Sequence, residues 1–356
     1  MVKLYVGAVW TRVFGMVEFD VKQFTDRLAF RPTNYYFTPS YQAGDWDGWI
    51  RLFFERNGQV LAYTGVVPRL ITMLKADNTE YELIVEYNYK NVEVMDTQLS
   101  GITMRDYQTD IVNTCKKKKR GVIKAPTGAG KTEMFIKLIS DINVNCLVIV
   151  NRTTLFRQIR EKITSRIGLR DSEINWLGDT KQYDPQNRIT IATFQSLLTK
   201  DQSSGNIREK SKWDEVMKEA KMVIVDEVHH LSMNELGNLL KATNKTLFRF
   251  GFSATPFRED GYDMMLEALI GPTIYDLSIS KLIQEGYLAR PKIYFLKLPY
   301  TIATNETYAT SYKMIQEHTE RNLTIAQIAF QFAKKQKLVL ISFSKVEHLK
   351  SVYKEL

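Results

Sequence analysis

The run GVIKAPTGAGKTEMFI, residues 121–136, decides the fold. Its apolar start reads as a short strand and KTEMFI as the first turns of a helix. Ala125-Pro126-Thr127-Gly128-Ala129-Gly130-Lys131-Thr132 is then the loop that joins them. Gly128 and Gly130 let the backbone turn its N–H groups inward onto phosphate oxygens. The helix that follows adds its positive N-terminal end. In such a loop the Lys131 ammonium reaches the β- and γ-phosphates of ATP, and the Thr132 hydroxyl is a ligand for Mg2+. Position 125 is Ala where the common pattern has Gly. The bland alternative is a Gly-rich turn between strand and helix.

The second element is Val223-Ile224-Val225-Asp226-Glu227-Val228-His229-His230, an apolar strand that ends in adjacent carboxylates. There Asp226 suits Mg2+, directly or through water. Glu227 suits the orientation and deprotonation of an attacking water. Alone, the pair would as readily cap the next helix; beside a phosphate loop it reads as hydrolytic machinery. His229 and His230 have no cysteine or further histidine near them, so zinc ligation is not expected.

Working outward, short apolar runs alternate with helical patterns: CLVIVN (146–151), TTLFRQIREKIT (153–164), RITIATF (188–194), KMVIVDE (221–227) and LFRFGFSA (247–254). Continuous apolar strands separated by helices predict a parallel α/β sheet. The polar stretch TKDQSSGNIREKSK (199–212) reads as a surface loop, and no internal repeat is visible.

The segment before it is different. Residues 1–100 hold 10 Lys+Arg and 12 Asp+Glu, a net of −2, so the rest of the chain carries +11 of the overall +9. The shift sets a boundary near Met95–Thr103. Upstream, LYVGAV, RVFGMVEF, WIRLFF and YELIVEYNY read as strands, and VKQFTDRLAF and VVPRLITMLKAD as helices: a small α+β module. From Leu277 the reading is a helix, a turn at Gly286, a strand after Pro291, a long helix over Tyr312–Lys335 and a buried strand KLVLISFS (337–344), the start of a second α/β unit.

Composition bounds the function classes. With 356 residues, 44% hydrophobic and 25% charged, the chain is neither disordered nor collagen-like. The positive balance favours polyanions. Two cysteines, Cys115 and Cys146, exclude a disulfide framework and a four-cysteine zinc site. No stretch approaches the ~20 apolar residues of a membrane span, and the apolar residues at the start alternate as in a strand rather than a signal peptide. The expectation is a soluble, cytoplasmic, monomeric protein with no membrane or disulfide partner.

Taken with Ser253-Ala254-Thr255, the two nucleotide elements resemble superfamily-two helicases and translocases. Arg105-Asp106-Tyr107-Gln108 looks like that family's adenine-reading motif. Val148 to Leu155, with Arg152 and Thr153, and Thr190 to Leu197, with Thr193 and Gln195, resemble its two segments that touch a nucleic-acid backbone. By the same resemblance His229, Ser253 and Thr255 link nucleotide state to domain closure. Asp-Glu-Val-His differs from the Asp-Glu-Ala-Asp of one RNA-helicase group, and Ser253 to Gly261 has the form seen in duplex-DNA remodellers. LIQEGYLARPKIYFL (282–296) resembles their connector. Phe37 to Leu52, with Trp46-Asp47-Gly48, is similar to the N-terminal domain of UvsW-type phage helicases, which migrate branches in Holliday junctions and forks.

The resemblance implies a RecA-like parallel-sheet motor domain (98–276, ATP-binding). Before it stands a small α+β N-terminal domain (1–97) that recognises DNA; after it come a connector and the truncated start of a second RecA-like domain (277–356). It implies an ATP- and Mg2+-dependent DNA helicase or translocase acting on branched or duplex DNA in phage recombination, repair or replication, in the host cytoplasm. A nucleotide-gated DNA-binding protein, an RNA helicase and a restriction-enzyme motor subunit are the alternatives. Asn151 stands where many relatives have Pro. The family's later Asp-x-Gly and Gln-x-x-Gly-Arg-x-x-Arg motifs, which carry arginine fingers, are absent. A full second motor domain needs on the order of 100 more residues, so the expectation is a poorly active fragment. Several side chains stay open at this point. Lys116–Arg120 is either a solvated helix end or a DNA contact. Trp46, Trp49, Tyr35 and Tyr36 either fill a core or stack on bases. Gln108 either reads adenine or sits at a helix start. Arg258 and Asp260 either pair locally or face DNA.

Overall fold

A computed structural model of the chain describes residues 1–87, 92–151, 153–178, 181–197, 214–254, 260–297 and 307–355. They form two compact units, Met1–Ala289 and Arg290–Leu356.

The first unit begins with β1 (Val2–Val6), β2 (Trp10–Phe14), β3 (Ala29–Phe30), β4 (Ile50–Arg51), β5 (Phe53–Arg56), β6 (Gln59–Tyr63) and β7 (Tyr81–Val85). Five of these make a sheet in the order β5-β6-β2-β1-β7, antiparallel except for the β1–β7 pair. Val2, Leu4 and Val6 alternate inward along β1, the period-two signature of a half-buried strand. The strand expected over WIRLFF is split: β4 pairs with β3, β5 pairs with β6, and between them the Leu52 N–H donates to Leu28 O. The helix Val67–Ala76 buries Val67, Leu70, Met73 and Leu74, one stripe at helical spacing, with Pro68 in its first turn.

A second sheet, in the segment expected to be the motor, follows: β8 (Arg120–Lys124), β9 (Cys146–Val150), β10 (Ile174–Leu177), β11 (Lys181–Gln182), β12 (Ile189–Thr193), β13 (Met222–Asp226), β14 (Phe248–Ser253) and β15 (Thr273–Asp276). Its order is β11-β10-β12-β9-β13-β14-β8-β15, parallel throughout except for the edge strand β11. Every residue of β9, β12, β13 and β14 is buried. Helices cover both faces of such a sheet, which is why these strands are continuous apolar runs. In register, Thr193 lies beside Val150, Asp226 beside Phe252 and Ser253 beside Lys124, so the strand ends line up along one edge.

The N-terminal module and the motor share one apolar core: Leu4, Phe53 and Leu70 belong to the same cluster as Leu147, Met265 and Leu269. At the seam, a Cβ on Gly65 would overlap the carbonyl oxygens of Glu267 and Ala268. Beside it Arg69 grips Glu267 through two 2.7 Å hydrogen bonds. Deeper in, the fully buried Arg249 of β14 donates to Leu240 O, Thr243 O and Leu269 O, the carbonyl ends of two helices. Burial lowers its pKa only to about 9, so it remains a cation there and offsets the negative helix ends.

The cation run resolves differently from either alternative for two of its members. Lys116 pairs with the fully buried Asp141 at 2.5 Å, and Arg120 donates to Ile270 O at 2.9 Å; Lys117 and Lys118 are exposed. Asp141 also binds Lys137 Nζ (2.7 Å) and the Thr97 N–H (2.9 Å), so the expected boundary segment is pinned to the helix Lys131–Asp141. Cys115 and Cys146 are buried free thiols.

In the second unit the expected long helix is two, Tyr308–Glu317 and Thr319–Lys334. His318 breaks it: its backbone is extended and its ring Nδ1 accepts from the Arg321 N–H. The two runs expected as strands are not strands: Ile293 to Leu296 and Leu338 to Leu340 are exposed and form no ladder among the described residues. A strand is stable only beside another, and the described part of this unit offers helices alone. No helix among the described residues is long and apolar enough to cross a membrane.

Candidate nucleotide site

The phosphate loop joins β8 to the helix Lys131–Asp141. Gly128 and Gly130 take φ of +85° and +80°, a region that side chains with a Cβ rarely enter. Gly130 is needed for a second reason, since a Cβ there would overlap Gln108 Nε2. Gln108 is buried with both ends of its amide in use: Nε2 donates to Ala129 O (2.9 Å) and Oε1 accepts from the Arg105 N–H (2.9 Å). Tyr107 donates from its hydroxyl to the same Ala129 O. Gln108 thus stands at a helix start, the first turn of Asp106–Lys118, where it caps the Arg105 N–H, but it is buried there and braces the loop from behind. The Arg105 guanidinium lies 4.6 Å from the ring centre of Tyr287, and Tyr287 meets Tyr107 edge to face. Sequence reading missed Tyr287 and Leu288 as neighbours of the loop; Leu288 comes within contact of Gly128.

At the end of β13, Asp226 is nearly fully buried and Glu227 turns back with φ of +46°. Lys131 Nζ stands 3.0 Å from Glu227 Oε1 and 3.3 Å from Ala125 O. Glu227 Oε2 lies 3.5 Å from His229 Nδ1, which is 2.6 Å from Ser253 Oγ at the end of β14. One chain of contacts therefore runs from Lys131 through Glu227 and His229 to Ser253. Burial pushes Asp226 up to about 6, with the neighbouring Glu227 charge adding and Lys131 opposing.

The donor set fits Mg2+. Two adjacent carboxylates share one ammonium, and Glu227 Oε2 is buried with no hydrogen-bond partner. Among the described residues no cluster of three or more His, Cys, Asp or Glu forms. The ion would therefore rest on Asp226, Thr132 and phosphate oxygens, as Mg2+ sites commonly do.

Other expected residues fall unevenly. Thr193 is buried, and its hydroxyl bonds to Ser196 Oγ (2.5 Å) and accepts from the Ser196 N–H at the start of the short helix Phe194–Leu197. Gln195 is exposed on that helix. Arg152, Thr255 and Arg258 lie outside the described residues, as do the side chains of Thr153 and His230. Asp260 is described: its carboxylate accepts from the Tyr262 N–H and its carbonyl from the Thr33 N–H. Trp46 is half-buried and donates from its indole to Trp49 O, while Trp49 is exposed.

Residues 101–258 match the family model described as the type III restriction enzyme, res subunit. The chain is 32% identical to a DNA 3'-5' translocase XPB2 of Sulfurisphaera tokodaii over 64% of its length and 47% of that protein's. It is 23% identical to the ATP-dependent DNA helicase uvsW of Enterobacteria phage T4, over 96% of this chain and 71% of that one. The crystal structure of the UvsW helicase from bacteriophage T4 superposes with a TM-score of 0.63 at 19% identity, covering 77% of this chain and 99% of that one. The chain thus spans about half the length of the archaeal relative.

In motif order, RecA-like sheet and these matches the chain is similar to superfamily-two helicase motors. Among them it is UvsW-like in sequence over 96% of its length, and its fold, small mixed-sheet module included, resembles that of the phage protein.

Proposed function

We propose that the protein is an ATP-driven DNA translocase that remodels branched or duplex DNA, including branch migration of junctions and forks during phage recombination, repair or replication. The observation that carries this is the contact chain Lys131–Glu227–His229–Ser253 at the end of the parallel sheet. It ties a phosphate-binding lysine to a base and to the strand that leads into the next segment.

On ATP binding, Lys131 moves its charge from Glu227 to the β- and γ-phosphates. Mg2+ held by Thr132 and Asp226 would neutralise charge on those phosphate oxygens. Glu227, released from Lys131, orients the attacking water and takes its proton on the carboxylate. His229 and Ser253 hold Glu227 in register with the end of β14. Arg105, with Tyr107 and Tyr287, offers the surface for adenine. Gln195, Arg152 and Thr153 contact the DNA backbone, with no information about base sequence.

The test is ATP turnover by the chain with Mg2+ and, in turn, a four-way DNA junction, linear duplex, and RNA. Stimulation by DNA above RNA, greatest with the junction, is expected. Turnover stimulated only by RNA would overturn the reading. Junction binding that responds to ATP with no turnover would favour the nucleotide-gated binder.

A further inference from the structure

The N-terminal module carries a cluster of rings that neither the core nor the nucleotide site uses. Tyr36 is 48% exposed, Phe37 67% and Trp49 38%. They are ordered, not loose. The Arg31 guanidinium is sandwiched between Tyr35 and Trp49, 4.8 Å and 4.7 Å from the two ring centres. Tyr36 and Phe37 lie 4.5 Å apart, and Tyr36 meets Tyr35 edge to face. Gly48, at φ +83°, sits against the Tyr35 ring where a Cβ would clash, and the Trp46 indole holds Trp49 O at 2.9 Å.

Charge says what such a surface can take. Arg51 is bound twice by Asp47, which that contact holds down at about 2 and therefore ionised. Arg31 is occupied by the two rings and by Tyr35 and the Asp47 carbonyl. Asp45 is exposed beside them. The patch is close to neutral, and the module as a whole is at −2, whereas the remainder of the chain is at +11. Phosphates gain nothing here. A flat, uncharged face does, and on DNA that face is a base with no partner stacked on it.

We propose that Tyr36, Phe37 and Trp49 form a stacking platform for bases left unpaired at a DNA branch point, with the motor holding the flanking phosphates. This rests on the DNA reading above. The platform is tied to the motor close by, since Thr33 donates its N–H to Asp260 O at 2.9 Å and Gly261 packs against Thr33. A base stacked there would lie on the side of the module that meets Asp260 and Gly261, where it would separate strands as the motor advances.

The experiment uses the full chain without nucleotide and a forked DNA carrying 2-aminopurine at the branch, with a fully paired duplex carrying the same base as control. Binding should quench the branch base and leave the paired base unchanged. The double variant Tyr36→Leu, Phe37→Leu removes exposed rings only, so its melting temperature should hold. It should lose the quench and weaken fork binding about tenfold, with duplex binding unaltered, because the unpaired base loses its stacking surface. Phe37→Trp should restore what Phe37→Leu loses. No quench in the unsubstituted chain, or an equal loss on fork and duplex, overturns the platform. Because nucleotide is absent, these outcomes are separate from those of the turnover test.

Discussion

Lys131 and Glu227 hold each other, ammonium to carboxylate at 3.0 Å, so the group proposed to bind phosphate also restrains the group proposed to activate water. ATP must compete for the lysine before the base is free. Lys131→Ala should abolish turnover by removing charge from the transferring phosphate. Glu227→Gln should retain ATP while turnover falls by at least about 100-fold, the usual scale of a general base. Its nucleotide affinity should equal or exceed that of the parent, because an amide no longer holds the lysine. Near-normal turnover in Glu227→Gln would remove Glu227 from the base role.

Asp226 makes the site costly to fold. Its pKa rises from the ordinary 3.8 to about 6, chiefly through burial. Between those values the native state keeps a proton that the unfolded chain has released, so the stability from this group falls as pH rises through the window. The cost is fully present above about pH 6. Asp226→Asn should therefore be more stable than the parent at pH 8 without Mg2+, by on the order of 3 kcal/mol, and melt higher, and the gap should close toward pH 4. Turnover should be lost at every pH. Identical melting curves at pH 8 would mean that the carboxylate is better solvated than its surroundings indicate.

The N-terminal module cannot be removed cleanly. Its apolar residues share a cluster with Met265 and Leu269 of the motor. Deleting residues 1–95 should expose that face and give an insoluble or far less stable protein, not a motor with altered DNA preference. Gly65→Ala should cost about 1–3 kcal/mol, because the new methyl must displace the carbonyls of Glu267 and Ala268. Arg69→Ala should cost under about 1 kcal/mol, since that pair is partly solvated. Thermal melts of the two variants decide it; equal and small effects would contradict a tight seam.

Both thiols should be silent. Burial pushes Cys146 up to about 12 and Cys115 higher still. A thiol kept protonated is a poor nucleophile. An aromatic disulfide reagent at pH 8 should label neither in the native chain and both after denaturation. Rapid labelling of either in the native state would show that its helix or strand opens readily.

The strands β8, β9, β12, β13 and β14 were legible because each is a continuous apolar run buried on both faces. The phosphate loop was legible because glycine, lysine and threonine have fixed jobs there. β10 and β15 escaped notice: β10 carries Asn175, whose amide is satisfied internally by Thr190 and Asn187, and a polar residue there breaks the apolar pattern. Gln108 and Thr193 show the other limit. Both lie in motif positions, yet their bonding partners, Ala129 O and Ser196, come from local folding that residue type alone does not specify. Lys116 looked like one of five solvated cations because its partner, Asp141, is far along the chain. The runs after Pro291 and Lys337 look like strands by composition, but a ladder is a property of neighbours.

Asp141 has a consequence for how the protein responds to its medium. It gathers Lys116, Lys137 and the Thr97 backbone in a place that bulk ions do not reach. Mobile counterions largely screen exposed charges more than about 10 Å apart at 0.1 M and leave enclosed pairs nearly untouched. Two kinds of electrostatics thus coexist in one chain. The proposed grip on a DNA backbone would be ionic-strength sensitive, while the anchor of the helix behind the phosphate loop is not. Brine that strips the polymer from the surface would leave the loop's scaffold standing, ready to engage again on dilution.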